Sequence, residues 1–163
     1  MKKLIALLGL SLSLAGCADL STQEKTINLN LTGEMLFSGA NTLQMPVVTS
    51  AESLAQEVNV VANNLSAIGV GKAIIELTGD QAAITESLLL QIVSNNQEMT
   101  TLGTLSPLPN GTKFELRLAE EIDLLPYLND EGATWVLDLN LTKDFLDEMQ
   151  VKGKLALTIK YIN

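Results

Sequence analysis

The sequence predicts an all-β fold, a two-sheet antiparallel β-sandwich with one or two short helices. Three observations predict it: apolar/polar alternation in four segments, two more continuously apolar runs rich in Ile, Leu and Val, and turn residues between them.

Taken in order, Thr26-Ile27-Asn28-Leu29-Asn30-Leu31 alternates, which puts Ile27, Leu29 and Leu31 on one face of a half-buried strand. Thr49-Ser50-Ala51-Glu52 reads as a capping box, and Leu54, Val58 and Val61 follow at helical spacing, so a helix is expected over 50–62. Val70 to Leu77 and Leu88 to Val93 are more continuously apolar, and Gly69, Gly71 and Gly79 favour strands over buried helices there. Pro107-Leu108-Pro109-Asn110-Gly111 is a loop by composition, its Asn-Gly marking a tight turn. Three alternating strands come next: Phe114, Leu116 and Leu118; Trp135, Leu137, Leu139 and Leu141; then Leu155, Leu157, Ile159 and Tyr161.

A weak internal echo runs through this half. Leu118, Asp123, Leu125, Gly132 and Val136 recur 21 residues later as Leu139, Asp144, Leu146, Gly153 and Leu157. Each unit is expected to run strand, acidic helical turn, glycine, strand, with Leu124, Leu125, Phe145, Leu146 and Met149 plugging the open ends of the core.

Composition removes whole mechanisms. The chain of 163 residues has no histidine and one cysteine, so it has no imidazole base, no Ser-His-Asp or Cys-His pair and no His-ligated metal. Its formal charge of −9 repels phosphate backbones, and its six aromatic residues leave few platforms for stacking bases, so no nucleic acid is expected as a partner.

The N-terminus is built differently. Met1-Lys2-Lys3 is positive, Leu4 to Ala15 is an almost unbroken apolar stretch of 12 residues, and Leu14-Ala15-Gly16-Cys17 follows. A membrane-spanning helix needs about 20 apolar residues, so this stretch reads as a secretory signal and not as a span.

Those last four residues resemble the lipobox of bacterial lipoproteins: an aliphatic residue, two small residues, then a cysteine. The resemblance implies signal-peptidase recognition through Leu14, Ala15 and Gly16, cleavage before Cys17, and diacylglycerol joined to the Cys17 thiol. Two or more acyl chains hold a protein stably at a membrane, so the implied partner is the membrane, through the lipid anchor at Cys17. By the same resemblance, Ala18 lacks the aspartate that retains lipoproteins in the inner membrane, which implies outer-membrane delivery. The expected organisation is a signal peptide over 1–16, a short tether over 17–25 and one β-sandwich domain over 26–163. Removing residues 1–16 takes Lys2 and Lys3 away and moves the balance from −9 to −11. The domain part resembles small β-sandwich envelope lipoproteins with no assigned activity.

Few residues suggest chemistry. Glu120-Glu121-Ile122-Asp123, Asn129-Asp130-Glu131 and Asp144 with Asp147-Glu148 are acidic enough to suggest calcium, but EF-hand spacing is absent and solvated charges at helix N-termini and loops explain them better, which leaves calcium a minor alternative. Asp147 and Glu148 are adjacent and would diverge on a helix, and no motif surrounds Lys72 or Lys143 to make a Ser-Lys pair. Trp135, in phase with Leu137, Leu139 and Leu141, reads as core. The Asn-x-Ser/Thr sequons at Asn30, Asn64, Asn110 and Asn140 carry no meaning in a bacterial lipoprotein. The expectation is a lipid-anchored binding or structural module with no catalytic residues, no metal and no cofactor, whose partner is an envelope protein or glycan. The alternatives are an envelope hydrolase using carboxylates or a Ser-Lys pair, which requires a cleft with two convergent ionisable groups of shifted pKa, and a calcium-binding module.

Overall fold

A computed structural model describes residues 19–162 of the chain. Leu14, Ala15, Gly16 and Cys17 lie outside the described residues. Strands make up 54% of the structure and helices 14%, so the fold is all-β as the alternation implies.

The strands are β1 (Leu20–Gly33), β2 (Gly39–Pro46), β3 (Leu65–Glu76), β4 (Thr85–Val93), β5 (Thr100–Leu105), β6 (Lys113–Glu115), β7 (Arg117–Leu118), β8 (Thr134–Leu141) and β9 (Met149–Ile162). Three short helices join them: α1 (Ala51–Glu57), α2 (Gly79–Ile84) and α3 (Leu125–Leu128). All strand pairs are antiparallel, in the order β6-β3-β9-β1-β2-β8-β4-β5-β7.

The two expected layers are therefore halves of one sheet, joined at two thin seams. The first is between β1 and β2, which share the single registered pair Thr32↔Gln44. There the Asn30 N–H meets the Met45 sulfur at 3.1 Å, where a ladder carbonyl would otherwise lie. The second seam is the stretch 113–118. Only Leu116 separates β6 from β7, and β6 pairs with β3 while β7 pairs with β5, so one extended segment draws the outer edges of the sheet together. The Leu116 N–H donates to the Ala73 carbonyl at 2.9 Å and the Ala119 N–H to the Leu102 carbonyl at 3.0 Å, leaving little free edge on this side.

Inside is one apolar core. Leu29 and Leu31 of β1, Ile68 and Ile75 of β3, Leu88, Leu90 and Ile92 of β4, and Leu155, Leu157 and Ile159 of β9 meet Trp135, Leu137, Leu139 and Leu141 of β8. Alternation thus assigned the inward faces of β1, β8 and β9 correctly, and Trp135, 1% exposed, is core. The run 88–93 lies within β4, and the run 70–77 lies in β3 up to Glu76.

Several expectations need correction. Residues 20–25, expected as tether, are strand, paired residue for residue with β9 from Leu20↔Ile162 to Lys25↔Leu157. The helix expected over 50–62 is α1 alone, capped by Ser50 with Ser53 returning the bond that a glutamate usually makes. Its end is set by Asn59 at φ 59°, whose N–H bonds the Gln56 carbonyl while the Val60 N–H bonds that of Ala55, a Schellman closure. Of the internal echo only the first copy holds: α3 and Gly132 precede β8, but 142–148 contains no helix and Gly153 lies within β9. Leu124 and Met149 are buried plugs as expected, whereas Leu146 is exposed.

Candidate functional site

Loops are ordinarily polar, yet the β1–β2 connection carries Met35-Leu36-Phe37. Leu36 forms an isolated antiparallel bridge with Phe145 of the β8–β9 connection, each N–H donating to the other's carbonyl at 2.9 and 2.8 Å. Leu36 turns inward and is buried, and alternation across the bridge then turns its neighbours out. Met35, Phe37 and Leu146 are 63%, 56% and 65% exposed.

The loop is held by its own polar groups. The Phe37 N–H donates to Asn41 Oδ1 at 3.0 Å, and Asn41 Nδ2 donates back to the Phe37 carbonyl at 2.6 Å. The Ser38 N–H donates to Asp144 Oδ1 at 2.8 Å, which ties the two connections together a second time. Met35 sits at φ 52°, in the left-handed region that costs a non-glycine residue about 1 kcal/mol or more. Glu34, Asp144, Asp147 and Glu148 are exposed around this apolar tip, against one lysine, Lys143. Three large apolar side chains on a stitched backbone, ringed by carboxylates, can bury dry surface against a partner at little ordering cost.

The residues singled out in the sequence fall elsewhere. Asp123 Oδ1 accepts from the N–H groups of Ile68 and Leu125 at 2.9 and 3.0 Å, pinning the start of α3 to β3. Asp130 accepts from Ser94 Oγ at 2.6 Å, the Asn96 N–H at 2.8 Å and Asn96 Nδ2 at 2.7 Å. The Ser94 hydroxyl and the Asn96 N–H hold its carboxyl below the ordinary carboxylate range. Glu76 is also held low, first by the Lys113 ammonium 3.1 Å away and then by Lys154 and Lys152, against an opposing effect of burial. These two shifted carboxylates do not share a cleft: Glu76 is on β3, and Asp130 is in the turn after α3. An open depression of ≈ 220 Å³ is lined by Asp130 and Glu131, but three donors already occupy the Asp130 oxygens.

Lys72 pairs with Glu115 at 3.0 Å rather than with a serine. Lys143, Asp147 and Glu148 are exposed in the β8–β9 connection, which is not the helix expected there. Among the described residues no three acidic or cysteine side chains converge as metal ligands. No described helix is long and apolar enough to cross a membrane.

No family model and no curated protein matches the chain. Among solved structures, a chain of desmodium yellow mottle tymovirus aligns with all of this chain and 95% of its own length, at 11% identity and a TM-score of 0.34. A chain of turnip yellow mosaic virus aligns over 86% of this chain and 96% of its own, at 12% identity and a TM-score of 0.27. Likenesses this distant carry no argument about function.

The sequence reading missed the tip. Its signal was present: three consecutive large apolar residues between two strands, where turn chemistry belongs.

Proposed function

We propose that the protein is a lipid-anchored cell-envelope binding module, tethered through Cys17, delivered to the outer membrane and acting without catalysis. The observation that carries the binding role is the tip, where the Leu36–Phe145 bridge brings together Met35, Phe37 and Leu146, three exposed large apolar residues of two connections. It lies at the far end of the β1–β9 ladder from Leu20, which is three residues after Cys17, and a strand of 14 residues spans about 45 Å. Anchor and docking surface are thereby separated by the length of the domain. An apolar tip with an acidic rim fits a protein surface offering a dry pocket and a basic border, and suits a glycan poorly, since sugars are held by hydrogen bonds and flat aromatic faces.

The test is crosslinking in living cells with a labelled fatty acid present, comparing the native chain, Cys17→Ser and Met35→Ser/Leu146→Ser. The reading predicts label on the native and tip-variant proteins but not on Cys17→Ser, and one discrete crosslinked species that the tip variant loses. Both substituted tip residues are exposed, so the fold should be unchanged. A species that survives the tip substitution sinks the docking role, and an unlabelled native protein sinks the anchor.

A further inference from the structure

The cations of this acidic domain are gathered on one face. Side chains alternate across a sheet, so the even-numbered residues of β1 and of β9 point away from the core along their unbroken register. Lys72, Ile74 and Glu76 of β3 join that outer face opposite Ala156, Lys154 and Lys152, and Lys113 and Glu115 of β6 extend it. The outward strand positions of this face carry Lys72, Lys113, Lys152, Lys154 and Lys160, five of the eight lysines and arginines of residues 19–162, with Glu24, Glu76 and Glu115 as their carboxylates; the acidic connection 120–123 reaches the β3 side at Gly69, where the Ile122 carbonyl lies 3.7 Å from the place of an added Cβ. Glu76 binds Lys113 and Lys154, and Glu115 binds Lys72, which leaves Lys152 and Lys160 in excess. Beside Lys152 an open groove of ≈ 510 Å³ is lined by Asn28, Asn30, Glu76, Gln150 and Lys154.

The same face changes character at one end. Leu20 and Ile162, a registered cross-strand pair on the outward side, are 57% and 40% exposed. Cys17 precedes Leu20 by three residues, a reach of about 10 Å at most. A lipid joined there would enter the bilayer beside the apolar pair, with the lysines continuing away from it.

We propose that the outer face of β6-β3-β9-β1 rests on an anionic lipid leaflet, Leu20 and Ile162 at the acyl boundary and the lysines on headgroup phosphates. The formal charge of the whole domain opposes this, but the Debye length at physiological salt is about 8 Å and stacked sheet layers are about 10 Å apart, so the acids of the far layer are largely screened from the leaflet. The acidic remainder, the tip included, then faces away from or along the surface. The inference rests on the anchor at Cys17 for the geometry, while the chemistry of the face stands without it.

The test has two arms. Acylated protein in vesicles of phosphatidylcholine, with or without phosphatidylglycerol, is treated with an amine-reactive label. Lys152 and Lys154 are expected to be protected by the anionic lipid and Lys143, on the β8–β9 connection, to stay reactive. In the second arm the Cys17→Ser chain lacking residues 1–16, whose strands and core all lie within 20–162, is sedimented with the same vesicles. It is expected to bind only the anionic ones, salt-sensitively. Each lysine near such a surface is worth about fivefold in partition, so Lys152→Ala/Lys154→Ala should lose about 25-fold and Lys143→Ala should lose nothing. Equal reactivity of Lys152, Lys154 and Lys143 on anionic vesicles overturns the proposal, as does binding that ignores lipid charge. Because the second arm carries no acyl chain, a missing anchor and a wrong face give different results.

Discussion

Asp130 holds two connections together with one carboxylate. Its oxygens accept from Ser94 and from two groups of Asn96, so the turn after β4 and the turn after α3 move as one. Those bonds favour the charged form, which depresses the folded-state pKa below the unfolded one. The stabilisation is therefore fully present above the unfolded carboxylate range, around pH 4, and is lost as the pH falls through the lower folded value. Asp130→Asn should lower the melting temperature at pH 7 and flatten its fall below pH 4; thermal unfolding across pH 2–7 checks both. Gly132, two residues on, sits at φ 75°, where an added Cβ would come within 2.6 Å of the Asn95 side chain. Gly132→Ala should destabilise the domain by about 1–3 kcal/mol, measured by denaturant unfolding.

At the scale of elements, the closing segment is the exposed point of the architecture. A Cβ on Gly103 of β5 would meet the Leu116 Cβ at 3.0 Å and the Arg117 carbonyl at 3.1 Å, so β7 approaches β5 only because that residue has no side chain. Gly103→Val should open this seam, with faster amide exchange at Leu116 and Ala119 as the readout and a loss of about 1–3 kcal/mol. Nothing local in Phe114-Glu115-Leu116-Arg117-Leu118 reveals that Leu116 stands between two partners: its alternation is read easily, its neighbours are not. The same holds for Leu20-Ser21-Thr22-Gln23-Glu24-Lys25. It lacks alternation because neither face is covered, and it is strand only through β9, more than 130 residues away. By contrast, β8 and β9 were legible because their inward residues are buried against one core. The capping box of α2, Thr78 with Gln81, was written in the sequence but masked by Gly79 in a helix of only six residues. The tip was the reverse case, visible in composition yet meaningful only once Leu36 and Phe145 were seen to bridge.

Across the whole molecule, one apolar core inside a nearly closed sheet supplies the stability, with no disulfide available to a chain that has a single cysteine. Trp135 is its largest fully buried side chain, and Trp135→Ala should cost about 3–5 kcal/mol, enough to leave a domain of this size marginal. That body sets the geometry the proposals use: the end at Leu20 and Ile162 nearest the proposed anchor, a lysine-bearing outer face, and an apolar tip at the other end of the same ladder. On the proposed function the tip, presented by a lipid-anchored domain, docks an envelope protein. A photocrosslinking residue placed at Phe37 in living cells tests it most directly, with Asn110 on the β5–β6 connection as control. One discrete adduct is expected from position 37, none from 110, and its loss in the Cys17→Ser background; no adduct at 37, or the same adduct from both positions, would overturn the docking role.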